Sequence, residues 1–543
     1  MTVTHSGRPA LFAGCWRACP RLVIGLFMAS VATASWAAMP ERLLWFAQTG
    51  PTPASERALH ILSQASADGL AASDYAVEDL RAAIANSVRS GVQDDERVAR
   101  LDRAIGTAIR RYLSDLHGGR VDPRQFAIRY SRSAELDQVI DRHLEELAGE
   151  GATDARTSRH LPSALPYREL RQALADYRGL IGNEAFRQAL PPLPGGRLRP
   201  GQPYSGTALL ARRLALFADL PENTATTARY EGKLVDGVKS FQARHGLYPD
   251  GVLGKETWVQ LEVRPEARLR QIELALERWR WLPYREAQRR IVVNVPEFML
   301  DAYAAAADSG KPALSMRVIV GNARKTRTPL FSGEMRFVEF SPYWNVPPSI
   351  AQSETLPRLR RDPGYLARQG FELVTSEGKV LTALSEGDLE AVARGQMRIR
   401  QRPGASNALG DIKFVFPNPD NIYLHHTATR QLFKRERRDF SHGCIRVEAP
   451  VELAKFVLAG DAEWTRERIV QAMRRGKSMT VRLGETLPVI ISYSTAVVRD
   501  GRVHFLPDIY GYEAMLGEAL QRRSAALQGE AARLRKLGIE SSN

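Results

Sequence analysis

The chain has 543 residues, which is too long for one compact core, so we expect two to four domains. Hydrophobic residues make up 44% and charged residues 25%, and after residue 37 no apolar run is long enough to cross a membrane. The formal net charge is +15, but the sequence contains no zinc finger, basic helix or aromatic–basic repeat. The charge therefore favours an anionic polymer over nucleic acid as the partner.

Residues 1–37 are predicted to be an export signal. They contain no acidic residue, and three arginines give them positive charge: Arg8, Arg17 and Arg21. The apolar run from Leu22 to Ala34 is followed by Ser35-Trp36-Ala37, whose small residues suit cleavage after Ala37. The alternative is an uncleaved membrane anchor. Removal of the three signal arginines would lower the net charge to +12.

The cysteine count depends on that cleavage. Cys15 and Cys19 lie in the predicted signal, so the mature chain would keep only Cys444. One cysteine cannot form an internal disulfide, and a lone thiol in an oxidising compartment is a liability unless it is buried or used.

Residues 51–197 are predicted to form a helical scaffold domain. Apolar residues recur at three- and four-residue spacing, as in amphipathic helices, over four segments: Ala54–Ala65, Val77–Ala85, Leu101–Leu116 and Tyr167–Leu180. Gly69 and Gly118-Gly119 are the expected helix ends. No cluster of catalytic residue types occurs here, which favours a structural role.

Residues 198–263 are predicted to form a small helical unit. Its motifs, in chain order, are Phe241-Gln242, Gly246-Leu247, Asp250-Gly251-Val252-Leu253-Gly254 and Thr257. This order resembles the peptidoglycan-binding domain of cell-wall enzymes and implies a three-helix fold. Such units also serve as spacers, so glycan binding and a structural role both stay open.

A linker helix is predicted within residues 264–290, from Glu266 to Leu282, with Pro283 as its end. Strand-forming residues then predict a β-rich catalytic domain over residues 291–483. Six segments carry the pattern: Arg290–Val295, Phe298–Tyr303, Met316–Val320, Met335–Phe340, Ile412–Phe416 and Asn421–His425. The fold class expected for the whole chain is multidomain α+β.

Two further segments complete the chain. Residues 349–405 form an insertion with helix-like patterning, and an insertion of this length is either a lid or decoration, of which we favour a lid. Residues 484–543 are predicted to form a hairpin, with Val489–Val498 against Arg502–Phe505, and then a helix from Tyr512 to Leu537.

The candidate chemistry centres on Cys444. A thiol is nucleophilic only as the thiolate, and the usual cysteine pKa of about 8.5 leaves it mostly protonated at neutral pH. His425, on a neighbouring candidate strand, could take that proton and return it to a leaving amine. Gly443 permits a tight turn that aims a backbone N–H at a developing oxyanion. Arg446 would share the thiol's face of the strand and could hold a carboxylate.

Two alternatives concern the histidines. His425, His442 and Cys444 could ligate zinc, although their spacing matches no common zinc pattern and thiolate sites usually supply more sulfur. His426 could replace His425 as the base, because adjacent residues of a strand face opposite sides and only one of them can serve.

The whole pattern resembles the catalytic domain of the L,D-transpeptidases, the YkuD-type fold. Their signature is a histidine, a short spacer, Ser/Thr-His-Gly-Cys and then an arginine or asparagine, which His425, Ser441-His442-Gly443-Cys444 and Arg446 match. Further stretches resemble the large Gram-negative members: Tyr343–Pro348, Arg400–Gly404 and Asn407–Gly410. The Tyr-X-His stretch of the family aligns with Tyr423-Leu424-His425, which selects His425 over His426.

The resemblance implies a cysteine-dependent acyltransferase of the periplasm. Cys444 would attack the third, diamino acid residue of a peptidoglycan stem, release the terminal D-Ala and pass the resulting thioester to the side-chain amine of a second stem. His425 would be the proton donor and acceptor. The residues implied in oxyanion stabilisation or substrate positioning are Tyr423, Ser441, His442, Gly443 and Arg446.

The resemblance also implies no metal, nucleotide or other cofactor. The expected partners are peptidoglycan stem peptides and glycan, with other cell-wall synthases as protein candidates, and carbapenems would acylate Cys444. Two rival functions stay open. A carboxypeptidase or other hydrolase on the same fold would use water as the acceptor, and a non-catalytic scaffold would bind the wall without being acylated.

Overall fold

The computed structural model describes residues 43–47, 50–90, 95–130, 135–149, 161–162, 164–283, 288–305 and 310–540. The predicted export signal, residues 1–37, lies outside these residues. No helix in the described ranges has both the length and the apolar character that crossing a membrane requires.

The described part of residues 43–197 is mostly helical. Its elements are β1 (Phe46–Ala47), β2 (Gly50–Pro51), α1 (Pro53–Ser63), α2 (Val77–Ser90), α3 (Asp95–Gly118), α4 (Leu136–Ala148), α5 (Leu165–Gly179) and α6 (Glu184–Arg187). The four helices predicted from apolar spacing are therefore confirmed. The longest, α3, buries one stripe of its surface, formed by Ile105, Ile109, Leu113 and Leu116. It ends at the predicted glycine pair, where Gly119 adopts a φ of +81°.

Three helices form the next unit: α7 (Thr207–Leu216), α8 (Lys233–Arg244) and α9 (Lys255–Leu261). Its motif residues bind one another inside the unit. The Gln242 side chain donates to the Val252 carbonyl (3.0 Å) and to the Thr257 hydroxyl (3.1 Å), and accepts from the Gly251 N–H (2.8 Å). These motif residues therefore build the turn before α9, which explains their pattern without a ligand.

The linker helix α10 spans Pro265–Arg280 and so ends before Pro283, as predicted. Nine strands then form the main sheet: β3 (Arg290–Asn294), β4 (Met299–Tyr303), β5 (Leu314–Gly321), β6 (Phe331–Phe340), β11 (Ile412–Val415), β12 (Leu424–His425), β13 (Asp439–Ser441), β14 (Ile445–Val447) and β15 (Met479–Ser492). Their order is β13-β5-β14-β12-β11-β6-β15-β3-β4, and a further pairing of β4 with β5 closes the sheet on itself. Two helices, α15 (Pro450–Val457) and α16 (Arg466–Arg474), follow β14.

The insertion between β6 and β11 has its own fold. It contains β7 (Trp344–Asn345), α11 (Pro348–Ile350), α12 (Leu356–Arg361), α13 (Tyr365–Arg368), β8 (Phe371–Thr375), β9 (Val380–Leu381), α14 (Glu386–Ala393) and β10 (Met397–Gln401). A π-helical turn, Ala351–Thr355, joins α11 to α12. The strands form a separate sheet in the order β7-β10-β8-β9 over a separate apolar core. The sequence predicted helical patterning here but missed this sheet.

The predicted C-terminal hairpin was wrong in its first strand. Val489 does not pair with Arg502–Phe505: it belongs to β15, whose last residues pair with β3 in parallel and with β6. The sheet thus continues past Leu483. The hairpin consists of β16 (Ala496–Arg499) and β17 (Arg502–Phe505), and α17 (Tyr512–Glu540) confirms the final helix. Strand β15 ends at Ser492, because the backbone of Ser494 bonds the side chain of Asn294 instead of the backbone of a neighbouring strand.

The fold class, multidomain α+β, is confirmed, but the apolar cores do not follow the three predicted domains. One core joins the N-terminal helices, the three-helix unit and the β16–β17 hairpin. A second fills the main sheet and its helices. Within the first core, buried Arg244 of α8 connects the three-helix unit to the hairpin, because it pairs with Asp219 and also donates to the Val503 carbonyl of β17.

Candidate active site

The segment Ser441–Cys444 forms a turn between β13 and β14. Gly443 adopts a φ of +113°, a conformation that side-chain-bearing residues rarely reach. The Ser441 hydroxyl closes the turn, because it donates to the Cys444 carbonyl (2.5 Å) and accepts from the Gly443 N–H (3.2 Å). The Thr328 hydroxyl holds the turn from another part of the chain by donating to the Gly443 carbonyl (2.8 Å).

His425 reaches this turn through strand pairing. Strands β12 and β14 run parallel, with Leu424 opposite Ile445 and His425 opposite Arg446. Since side chains alternate between the faces of a strand, His425 and Arg446 share one face with Cys444. The sequence-predicted nucleophile, base and arginine are therefore brought together on one side of the sheet.

The hydrogen bonds of His425 set its tautomer. Its Nδ1 lies 2.6 Å from the His426 carbonyl oxygen, which can only accept, so Nδ1 carries the hydrogen and Nε2 keeps a lone pair. The ring is 4% exposed. Burial, followed by the charge of Arg446, lowers the pKa of His425 to about 3. Hydrogen bonds to the carbonyls of His426 and Leu409 act in the opposite direction. His425 is thus neutral at pH 7 and able to accept a proton.

His426 lies on the other side of the strand. Its Nδ1 is 3.2 Å from the Asp411 carboxylate and 3.3 Å from the Asp411 backbone N–H. Its ring also packs closely over Gly410, where a Cβ would approach it to within 2.6 Å. These contacts indicate a structural role for His426 and hold its ring away from the thiol.

The Cys444 thiol is half-buried, and its Sγ lies 3.7 Å from the Asn421 carbonyl oxygen. Burial raises the pKa of the Cys444 thiol above its usual value. Hydrogen bonds from the backbone and hydroxyl of Tyr423 oppose this increase, and so do the positive charges of Lys413 and Arg446. The resting site therefore holds a protonated thiol beside a neutral imidazole.

Tyr423 connects the thiol to the insertion. Burial, and then the Cys444 sulfur, raise the pKa of Tyr423 far above its usual value, so its hydroxyl stays protonated and donates to the sulfur. The Trp344 side chain of β7 bonds the same hydroxyl. The Tyr423 and His425 rings meet edge to face, with 5.8 Å between centroids.

Three parts of the chain match known sequence families. Residues 288–491 match the L,D-transpeptidase catalytic domain, YkuD. Residues 288–491 are an L,D-transpeptidase catalytic domain. Residues 35–174 match the family described as Scaffold domain, and residues 205–261 match the one described as "Putative peptidoglycan binding domain". The family resemblance predicted from the sequence is confirmed.

Individual proteins are similar over shorter ranges. A Haemophilus influenzae protein named "Putative L,D-transpeptidase" is 31% identical over 308 residues, which are 56% of this chain and 60% of that protein. The match thus spans less than two thirds of that relative. The crystal structure of an L,D-transpeptidase from Xylanimonas cellulosilytica shares 15% identity, over 55% of this chain and 99% of its own, with a TM-score of 0.18 that supports no structural argument.

The remaining predicted residues of the L,D-transpeptidase domain occupy different places. Arg446 Nη1 lies 3.5 Å from the Thr429 hydroxyl, while its buried Nε has no hydrogen-bond partner among the described residues. His442 pairs with Glu354 of the insertion at 2.6 Å. Within the described ranges, no three His, Cys, Asp or Glu side chains are grouped so as to hold a metal ion.

Sequence reasoning missed several residues of the candidate site: Thr328, Trp344, Glu354, Lys413 and Asn421. Four of them have no local signal, because their contacts with the motif form only in the folded chain. Trp344 could have been found, since it lies in Tyr343–Pro348, a stretch already noted for its family likeness.

Proposed function

We propose that the chain is an L,D-transpeptidase that acts on peptidoglycan stem peptides outside the cytoplasm. The observation that supports the proposal is the register of β12 and β14, in which His425 lies opposite Arg446, two residues after Cys444. The predicted domains belong to this proposal: signal 1–37, scaffold 51–197, peptidoglycan-binding-like unit 198–263, linker 264–290, catalytic domain 291–483 and C-terminal segment 484–543. So does a periplasmic location after cleavage of the signal.

The proposed reaction has two transfers. His425 Nε2 takes the thiol proton while Cys444 Sγ bonds the carbonyl carbon of the third stem residue. The amide C–N bond then breaks, His425 returns the proton to the departing amine of D-Ala, and a thioester remains. The amine of a second stem next attacks the thioester, loses its proton through His425, and releases Cys444 as the thiol. The Tyr423 hydroxyl and the Cys444 backbone N–H are the proposed donors to the oxyanion.

Arg446 is the proposed anchor for a substrate carboxylate. Its buried Nε lacks a hydrogen-bond partner among the described residues, and a buried donor of this kind costs free energy until a partner arrives. A carboxylate bound there would also offset the charge that lowers the pKa of His425. Substrate binding would thereby make the imidazole a stronger base.

The insertion is proposed to act as a lid over this site. Two side chains connect it to the catalytic residues: Trp344, which bonds the Tyr423 hydroxyl, and Glu354, which pairs with His442. Glu354 lies in the π-helical turn, an irregularity that is common at functional sites.

Glu354→Gln is expected to raise the carbapenem concentration at half-maximal acylation about twofold to fivefold, because an exposed ion pair contributes roughly 0.2–1 kcal/mol. The limiting acylation rate should stay within about twofold, since Glu354 pairs with His442 and not with Cys444 or His425. Stopped-flow kinetics over a range of concentrations measures both quantities. The matched control is Glu386→Gln, which removes an ion pair with Arg360 inside the insertion. A loss confined to the limiting rate would contradict the lid.

The nucleophile is tested by intact mass spectrometry of the protein with a carbapenem. The wild type is expected to gain one covalent adduct, and Cys444→Ala none, because only a thiol in this site can open the lactam. Separation of muropeptide products then distinguishes crosslinking from hydrolysis. If folded, reduced wild type forms no adduct but still pellets with wall sacculi, the proposal is wrong. The protein would then be a wall-binding scaffold.

A further inference from the structure

A row of charged and titratable residues crosses the sheet at the active site. Strand β11 pairs with both β6 and β12, so Lys413 lies opposite Glu339 on one side and opposite His425 on the other. The next strand continues the row with Arg446. His425 is therefore flanked by a cation on each neighbouring strand, one of which, Lys413, belongs to none of the sequence motifs.

The Lys413 ammonium is held in place by two contacts. Its Nζ lies 3.2 Å from Glu339 Oε2 and 4.5 Å from the centroid of the Tyr423 ring. The Lys413 and Glu339 side chains are only 17% and 27% exposed, so their charges are less screened than those of a surface pair. Lys413 thus touches the residue whose hydroxyl and backbone bond the sulfur.

We propose that Lys413 is a positioning residue for Cys444. Its ammonium packs against the Tyr423 ring and favours the thiolate, and it lies on the other side of His425 from Arg446. This inference rests on the proposed function, because a thiolate is required only if Cys444 is the nucleophile. A nearby positive charge stabilises the ionised form of a thiol, and here the charge of Lys413 acts against the burial that opposes ionisation.

Other titratable or charged groups lie in the same part of the site. They are Glu339 on β6, Tyr423 and His425 on β12, Arg446 on β14, and His442 with its partner Glu354. Glu339 opposes Lys413 in charge while fixing its position. Its neutralisation is therefore expected to have the opposite effect to loss of the lysine.

The test measures the rate at which iodoacetamide alkylates Cys444 between pH 6 and 10 in the full chain, with the Cys444 peptide followed by mass spectrometry. Alkylation reports the thiolate and needs no transpeptidase activity. Lys413→Met is expected to raise the pH at which alkylation is half-maximal by about 0.5 to 1 unit. A fully buried charge in direct contact with the thiol would cause a larger shift. Lys413→Arg should restore the midpoint, and Lys455→Met, which removes an exposed lysine of α15, should leave it unchanged.

If the pH midpoint of alkylation is the same in Lys413→Met as in the wild type, the inference is overturned, whatever the alkylation rate. Lys413 would then have a structural role only. If that variant fails to fold, Glu339→Gln decides, because it keeps the lysine and is expected to lower the midpoint; no shift, or a rise, would overturn the inference. Carbapenem acylation of the wild type is measured in parallel. Its absence would remove the proposed function, whereas equal midpoints would remove only the role of Lys413.

Discussion

Replacement of His425 by alanine is expected to slow carbapenem acylation of Cys444 by about 100-fold or more, the usual minimum contribution of a general base. His425 lies opposite Arg446 in the strand pairing, and its Nδ1–H bond to the His426 carbonyl keeps the ring's lone pair on Nε2. His426→Ala is expected to keep most of the rate, because that ring bonds Asp411 on the other side of the strand. The two rates are compared by intact mass spectrometry against time at pH 7.

Circular dichroism separates loss of the base from loss of the fold. His426 packs over Gly410, so His426→Gln is a second control that keeps a hydrogen-bonding side chain there. If the His426 variants were the slow ones while His425→Ala reacted normally, the base would be His426. The geometry proposed for the site would then be wrong.

Replacement of Glu277 by alanine is expected to lower the free energy of unfolding by about 3–5 kcal/mol, because it leaves two buried cations without their anion. Glu277 of α10 is fully buried and accepts hydrogen bonds from Arg120 (2.9 Å) and Arg280 (3.3 Å). Burial raises the pKa of this carboxyl, but Arg120 and Arg280 outweigh burial and hold it below its usual value. Urea denaturation followed by circular dichroism measures the change.

The matched control for Glu277 is Glu518→Ala on α17, which removes an exposed carboxylate paired with Arg522 at 3.6 Å. Its expected cost is below about 1 kcal/mol, as for other exposed pairs. A Glu277 variant as stable as this control would mean that water reaches Arg120 and Arg280 in solution. The ion pairs would then not be what joins α10 to the N-terminal helices.

The N-terminal helical region contacts the main sheet close to the Cys444 thiol. The Arg129 backbone pairs with the chain on either side of Phe331, and its side chain forms an ion pair with Asp420. Asp420 precedes Asn421, whose carbonyl lies beside Cys444 Sγ. The N-terminal region thus supports the loop beside Cys444 as well as its own core.

Local signals in the sequence determined much of the molecule. Apolar spacing predicted α1, α2, α3 and α5, because one buried stripe on a helix requires that period. Pro283 and the Gly118-Gly119 pair predicted helix ends, since these residues restrict or permit backbone conformations locally. The Ser-His-Gly-Cys motif with its upstream histidine predicted the catalytic family, because its residues are close in sequence and distinctive in type.

Only the tertiary structure decided which residues meet the motif. Glu354 lies 88 positions from His442, Thr328 lies 115 positions from Gly443, and no periodicity links such pairs. Strand register was equally hidden: it placed Val489 in the main sheet instead of the hairpin and set Lys413 beside His425. A short strand carries the same local pattern whichever partner it pairs with, so the choice depends on packing that forms only when the whole sheet closes.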